Sequence, residues 1–197
     1  MAKKRYKRGV ARIRRIISVS IVLVLVFVAL IETYDYTYDK YLYPVDYTNY
    51  VDIYAEEYGV DKALVYAVIK TESGFNSEAI SNVGAQGLMQ MTEDTFEWLK
   101  TKTGEKHLQF NDLFQPQVSI KYGTLLLSML LEDFNNDPKT ALSAYHAGRA
   151  SVQSWLEKPE YSANGKTLDT IPKEDTQHYV DKVMSSLTQY EKILSRQ

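Results

Sequence analysis

Apolar side chains recur along most of this chain at steps of three and four residues, punctuated by Gly, Pro and short polar caps. The first apolar stretch is continuous instead: Ile16 to Ile31 is broken only by Ser18 and Ser20. Residues 33–48 read as a connector rich in Tyr and Asp, with Pro44 disfavouring a continuous helix. From Thr48, read as an N-cap, Tyr50, Ile53, Tyr54 and Glu57 follow a helical period closed by Gly59. Asp61 caps the next helix, whose Leu64, Val65, Val68 and Ile69 form an apolar face. Thr92 caps a helix over 93–103 that Gly104 ends, with Phe96, Trp98 and Leu99 as its packing residues. Pro116 fits the first turn of the most apolar helix, carrying Val118, Tyr122, Leu125, Leu126, Met129, Leu130 and Phe134. This helix is expected to be the buried centre, because Lys121, Glu132 and Asp133 bracket a run too short to cross a membrane. Asp137-Pro138 starts a short helix to Tyr145, and a further turn or two runs from Ala150 to Leu156. Residues 157–170 read as a polar loop rimming a groove. A last helix from about Lys173 to Ser195 turns Tyr179, Val183, Leu187 and Tyr190 inward. No stretch alternates as a strand should, so the expected fold class is all-α.

Charge divides the chain in two. Residues 1–15 hold eight of the 23 Lys and Arg and no acid, so the rest carries a formal charge of -10 within an overall -2. A basic segment followed by an apolar run predicts a membrane helix over 16–32, with residues 1–15 on the cytoplasmic side. The sixteen residues of this run cover roughly 24 Å at ~1.5 Å each, short of a ~30 Å hydrocarbon core. Snorkelling of Arg14 and Arg15 and local thinning would close the gap. Tyr34, Tyr36, Tyr38, Tyr41 and Tyr43 would form an aromatic belt at the outer interface. A cleaved signal peptide is the competing reading, but Ala29-Leu30-Ile31 lacks a small-x-small site. A nucleic-acid arm is disfavoured by the adjoining apolar run. The expected organisation is a basic segment 1–15, a signal anchor 16–32, a linker 33–48 and a globular domain 49–197.

Chemistry concentrates where the helix after Asp61 ends. Glu72 lies three beyond Ile69 and four beyond Val68, so it continues the apolar stripe, and Gly74 follows where a helix-terminal glycine belongs. A carboxyl in that setting is costly when ionised unless it is paired, and a raised pKa suits it to donate a proton near neutral pH. A helix-end Glu that bends out to water is the alternative. No cysteine is present, which excludes a disulfide framework, a thiol nucleophile and a thiolate metal site. His107, His146 and His178 are scattered, and no metal-binding or phosphate-cradling motif appears, so no metal and no cofactor are expected.

Glu72-Ser73, Phe75, Ala79, Ser81, Gly84-Ala85 and Gly87-Leu88-Met89-Gln90 resemble the signature of the soluble lytic transglycosylase (SLT) family. Ala144-Tyr145-His146-Ala147-Gly148 resembles its Ala-Tyr-Asn-Ala-Gly motif. Pro172 to Val180 resembles its closing Pro-x-x-Glu-Thr-x-x-Tyr-Val segment. The three motifs stand in the expected order across roughly residues 49–195. The resemblance implies a lysozyme-like fold acting on peptidoglycan glycan strands with one catalytic glutamate. That acid would protonate the oxygen between N-acetylmuramic acid and N-acetylglucosamine. It would then act as base while the muramyl 6-hydroxyl closes onto its own anomeric carbon, leaving a 1,6-anhydro end.

Carried over residue by residue, Glu72 is the expected general acid/base, and Ser73, Met89, Gln90, Tyr145, His146 and Tyr179 are expected to bind substrate. Ser73 would hydrogen-bond the sugar or Glu72, Gln90 would line the groove, and Tyr145 would stand near the acid. Met89 is equally readable as core. Two positions depart from the pattern: His146 stands for Asn, and Asp175 for Glu. Taken with the anchor read from residues 1–32, the resemblance gives the expectation of a membrane-anchored, extracytoplasmic lytic transglycosylase. Alternatives are a lysozyme-type hydrolase, which would need a second carboxylate to direct water, and an inactive wall-binding scaffold.

Overall fold

A computed structural model describes residues 2–196; within the first helix, side chains are described at Arg15, 17–31, Thr33, Thr37 and from Lys40 onward. The chain divides into two compact units, one up to Pro44 and one from Val45. The first is a single helix, α1, Ala2–Leu42. The connector expected from residue 33 is helical for ten more residues, with Thr33 and Thr37 hydroxyls donating to the carbonyls of Ala29 and Thr33, both at 2.7 Å. Pro44 restricts the residue before it and not the turns upstream, so the helix stops just short of it.

Among the described residues no helix is long and apolar enough to cross a membrane. The span expected over 16–32 is therefore not shown as such, and its shortness is already visible in the sixteen-residue run. Its described apolar side chains, Ile17, Val19, Ile21 to Val28, Leu30 and Ile31, are all exposed. The basic residues of 1–14, Glu32, and Tyr34, Tyr36 and Tyr38 of the expected aromatic belt lie outside the described side chains.

The second unit holds α2 (Thr48–Tyr58), α3 (Lys62–Glu72), α4 (Glu93–Thr103), a 3-10 turn (Phe110–Phe114), α5 (Pro116–Asp133), α6 (Pro138–Ala147), α7 (Arg149–Leu156) and α8 (Glu174–Leu194). It contains no strand among the described residues, only isolated bridges pairing Gln86 with Ile80 and Met91. The all-α expectation holds. Caps explain most boundaries. Asp61 accepts from the Ala63 amide at 2.7 Å, Asp137 from the Thr140 amide at 2.8 Å, and Gly59 and Gly104 take left-handed geometry at helix ends. Tyr47, in a left-handed conformation, precedes α2 in place of the expected Thr48 cap.

The buried centre is α3 and not α5. Every residue from Ala63 to Ile69 is buried, because α3 packs along α8 on one side and α2 on another. On α5 the buried positions are Ser119, Ile120, Tyr122, Gly123, Thr124, Leu127 and Leu130, whereas Val118, Leu125, Leu126 and Met129 are only partly covered. Large side chains suggest one face of this helix, but small ones decide it. A Cβ on Gly123 would overlap the Met89 side chain, and one on Gly87 would overlap the Leu113 carbonyl oxygen. Helix α5 presents Ser119, Gly123 and Thr124 so that the loop between α3 and α4 can lie directly on it.

Candidate active site

Burial of α3 fixes where Glu72 must be. Its helix ends there, with Ser73 as C-cap and Gly74 in left-handed geometry donating to the Lys70 carbonyl. Helix α8, packed along α3, brings Tyr179 to the carboxyl, and the phenol donates to Glu72 Oε1 at 2.8 Å. The Glu72 side chain keeps a partial opening to solvent, yet protein surrounds the carboxyl closely on its other sides. Loss of hydration dominates and pushes its pKa from the ordinary 4.5 to about 7, while the Tyr179 hydrogen bond works in the opposite direction. Oε2 makes no hydrogen bond among the described residues.

Tyr145, in the last turn of α6, donates to the Met89 carbonyl at 2.8 Å. Its phenol is pushed well up by burial first and then by the charge of Glu72, which places the ring beside the acid. The phenol of Tyr179 is raised for the same two reasons, with Tyr145 adding to it. Both shifts favour the neutral phenols, which act here as hydrogen-bond donors.

The loop from Asn76 to Met91 forms another side of the site and is held mainly by its own backbone. The Ala79 carbonyl accepts from the Gly87 amide and from Gln90 Nε2, both at 3.0 Å, and Gln90 Nε2 also reaches the Gly87 carbonyl at 2.8 Å. Gln90 has φ 47°, a conformation that costs a non-glycine residue energy and persists where surroundings enforce it. From α5, the Ser119 Oγ accepts the Met89 amide at 3.1 Å.

These contacts sort the expected substrate-binding residues. Met89 does not line a groove with its side chain, which is fully buried against Gly123; it serves the site through its carbonyl. Ser73 does not bond Glu72; its hydroxyl donates to the Ile69 carbonyl at 3.3 Å. Gln90 spends its amide on the loop and leaves Oε1 without a partner among the described residues. Tyr145 and Tyr179 are gathered around Glu72, Tyr179 directly on it. His146 is exposed and stacks on Tyr179, with ring centroids 4.7 Å apart and planes 26° apart. Asp175 lies at the start of α8, bonded to the Thr176 amide at 2.8 Å. Thr176 is the threonine of the closing motif, and no role is expected of it from the sequence. It is wholly buried, and its Oγ1 sits 3.1 Å from His146 Nδ1. Its three-residue spacing from Tyr179 on a helix puts both on one face, a signal the sequence does carry. No group of three or more His, Cys, Asp or Glu able to hold a metal ion occurs among the described residues.

The profile of the transglycosylase SLT domain family matches residues 49–167. A membrane-bound lytic murein transglycosylase C of Pectobacterium atrosepticum is 30% identical over 160 residues, covering 69% of this chain and 44% of that protein. A soluble lytic murein transglycosylase of Salmonella typhimurium is 27% identical over 145 residues, 73% of this chain and 22% of that one. Two solved structures share the fold. The 70 kDa soluble lytic transglycosylase of Escherichia coli superposes with a TM-score of 0.70 at 25% identity, over 77% of this chain and 25% of that one. An inactive glutamate-to-glutamine mutant of the lytic transglycosylase Slt of Pseudomonas aeruginosa gives 0.68 at 28% identity, over 78% and 25%. The chain spans less than half the length of the curated relatives it matches.

Proposed function

The chain belongs to the transglycosylase SLT domain family, and we propose on that premise that it is a peptidoglycan lytic transglycosylase with Glu72 as its general acid and base. The observation that carries this reading is the Glu72 carboxyl, pushed up to about 7 by burial at the end of α3. A carboxyl of that pKa is protonated in useful amount at neutral pH and is a competent base once it has given the proton away. With Tyr179 donating to Oε1, the acidic proton is assigned to Oε2, the oxygen with no partner among the described residues. That proton goes to the glycosidic oxygen between N-acetylmuramic acid and N-acetylglucosamine as the C1–O bond breaks. The Glu72 carboxylate then takes the proton of the muramyl 6-hydroxyl, whose oxygen bonds to C1 and closes the 1,6-anhydro ring. Water is neither added nor lost, and Glu72 ends protonated as it began.

The Pseudomonas aeruginosa mutant supports the choice of residue type, since a Glu-to-Gln change accompanies inactivity in that protein. Glu72→Gln is expected to abolish release of soluble fragments from purified peptidoglycan while circular dichroism and melting show an intact fold. In the unaltered chain, activity is expected to fall as pH rises through about 7, where Glu72 ionises. A Glu72→Gln protein that releases fragments at the normal rate would remove Glu72 as the acid.

The same reading extends to location. The exposed apolar side chains of α1, the basic residues before them and the similarity to membrane-bound lytic murein transglycosylases support attachment through residues 16–32. The catalytic domain would then lie outside the cytoplasm, where peptidoglycan is, with the basic segment inside.

A further inference from the structure

His146 makes two contacts, and both lead back to the catalytic acid. Its imidazole covers one face of the Tyr179 ring at 4.7 Å, and that ring's hydroxyl is the donor to Glu72. Its Nδ1 lies 3.1 Å from the hydroxyl of Thr176, a residue with no solvent exposure three positions before Tyr179 on α8. Thr176 Oγ1 donates to Asp175 Oδ1 at 3.4 Å, which leaves its lone pairs to accept from a protonated Nδ1. An exposed side chain usually keeps several rotamers; this one is tied at one edge and stacked on one face. The ring that it covers is the one whose axis sets the phenol oxygen on Oε1.

We propose that His146 is a positioning residue that holds the Tyr179 phenol on Glu72 by ring stacking, with Thr176 and Asp175 fixing the imidazole. The proposal rests on Glu72 being the acid. It assigns His146 a role through Tyr179 in place of the direct sugar contact that its position in the motif implies. The groups facing the imidazole are Lys173, the N-cap of α8, Asp175, Thr176 and Tyr179 from α8 itself, and, beyond the Tyr179 ring, Glu72 of α3 and Tyr145. Partial enclosure by the protein lowers the imidazole pKa, with Asp175 opposing and Lys173 assisting.

The test follows from the direction of the Tyr179 bond, which lowers the Glu72 pKa. Cleavage of soluble uncross-linked glycan strands by the full chain in detergent is followed across pH for the unaltered protein, His146→Ala, His146→Phe, Tyr179→Phe and the His146→Ala/Tyr179→Phe pair, with Glu72→Gln alongside. His146→Ala is expected to move the alkaline limb up by roughly 0.5–1 pH unit and to lower kcat roughly tenfold, with KM little changed. His146→Phe, which keeps an aromatic face, is expected to stay near the unaltered limb. In the Tyr179→Phe background, His146→Ala is expected to add no further shift, since both act on one bond. A raised KM with an unmoved limb would make His146 a sugar contact and overturn the proposal, as would a Phe variant that behaves like Ala or shifts that add. If Glu72→Gln is silent while the limb does not move, this inference alone fails; if Glu72→Gln still cleaves, it falls together with the assignment of the acid.

Discussion

Glu72 meets two opposed demands. Burial at the end of α3 favours its neutral form, and Tyr179 gives back part of what the charged form loses. The balance leaves a carboxyl near neutrality, with consequences for stability as well as catalysis. A group whose folded pKa is raised contributes stability that is fully present below its unfolded value, here near 4.5, and that is lost as pH rises through about 7. Glu72→Gln carries no such titration. The variant and the unaltered chain are therefore expected to be about equally stable near pH 4, with the variant gaining roughly 3 kcal/mol by pH 8. Urea unfolding at both pH values checks this; parallel pH curves would mean that Glu72 is not held in a desolvated site. That a helix-end Glu continuing an apolar stripe would be perturbed is legible from spacing alone. The source of its one hydrogen bond is not, because Tyr179 lies 107 positions away and only the packing of α8 on α3 joins them. Ser73 and Met89 show the converse. Their motif positions are those of a sugar-binding segment, yet one hydroxyl turns back onto its own helix and one side chain fills the core.

Among the elements, the loop from Asn76 to Met91 is organised by what it lacks. Gly87 has φ 78° and sits so close to the 3-10 turn that any Cβ would overlap the Leu113 carbonyl oxygen and crowd Ser119 Oγ. Gly87→Ala is expected to destabilise the domain by about 3 kcal/mol and to cut activity more steeply than stability, because the Met89 carbonyl that receives Tyr145 moves with it. Melting and cleavage assays on the same preparation check both. A fully active, equally stable Gly87→Ala protein would mean that the loop does not rest on α5. The helices are legible where caps and breakers are chemical: Asp61, Gly104, Pro116 and Asp137 mark the observed ends. The face of α5 is not, since hydrophobic periodicity weights large side chains while close packing of a loop selects Ser119, Gly123 and Thr124. Residues 33–42 are helix and not connector, because the restriction Pro44 imposes reaches one residue upstream and no further.

At the scale of the whole molecule, a long helix with an exposed apolar segment and an acidic globular unit occupy one chain. The apolar run is marginal in length for a bilayer, so two charges in its middle are expected to be decisive. The unaltered chain is expected to sediment with membranes and to resist a high-salt wash, whereas Val24→Asp with Leu25→Asp is expected to remain largely in the supernatant, each Asp costing roughly 2.5–3.5 kcal/mol of insertion. Equal recovery of the two proteins with membranes would remove residues 16–32 as the anchor. With Glu72 as the proposed acid, hydrolysis and transglycosylation would differ in the nucleophile that reaches C1. The decisive measurement is mass analysis of the fragments that the full chain releases from purified peptidoglycan. Fragments one water lighter than the hydrolytic products, ending in 1,6-anhydro sugars without a reducing end, are expected; fragments with reducing ends would contradict the account and require a group in the site that directs water.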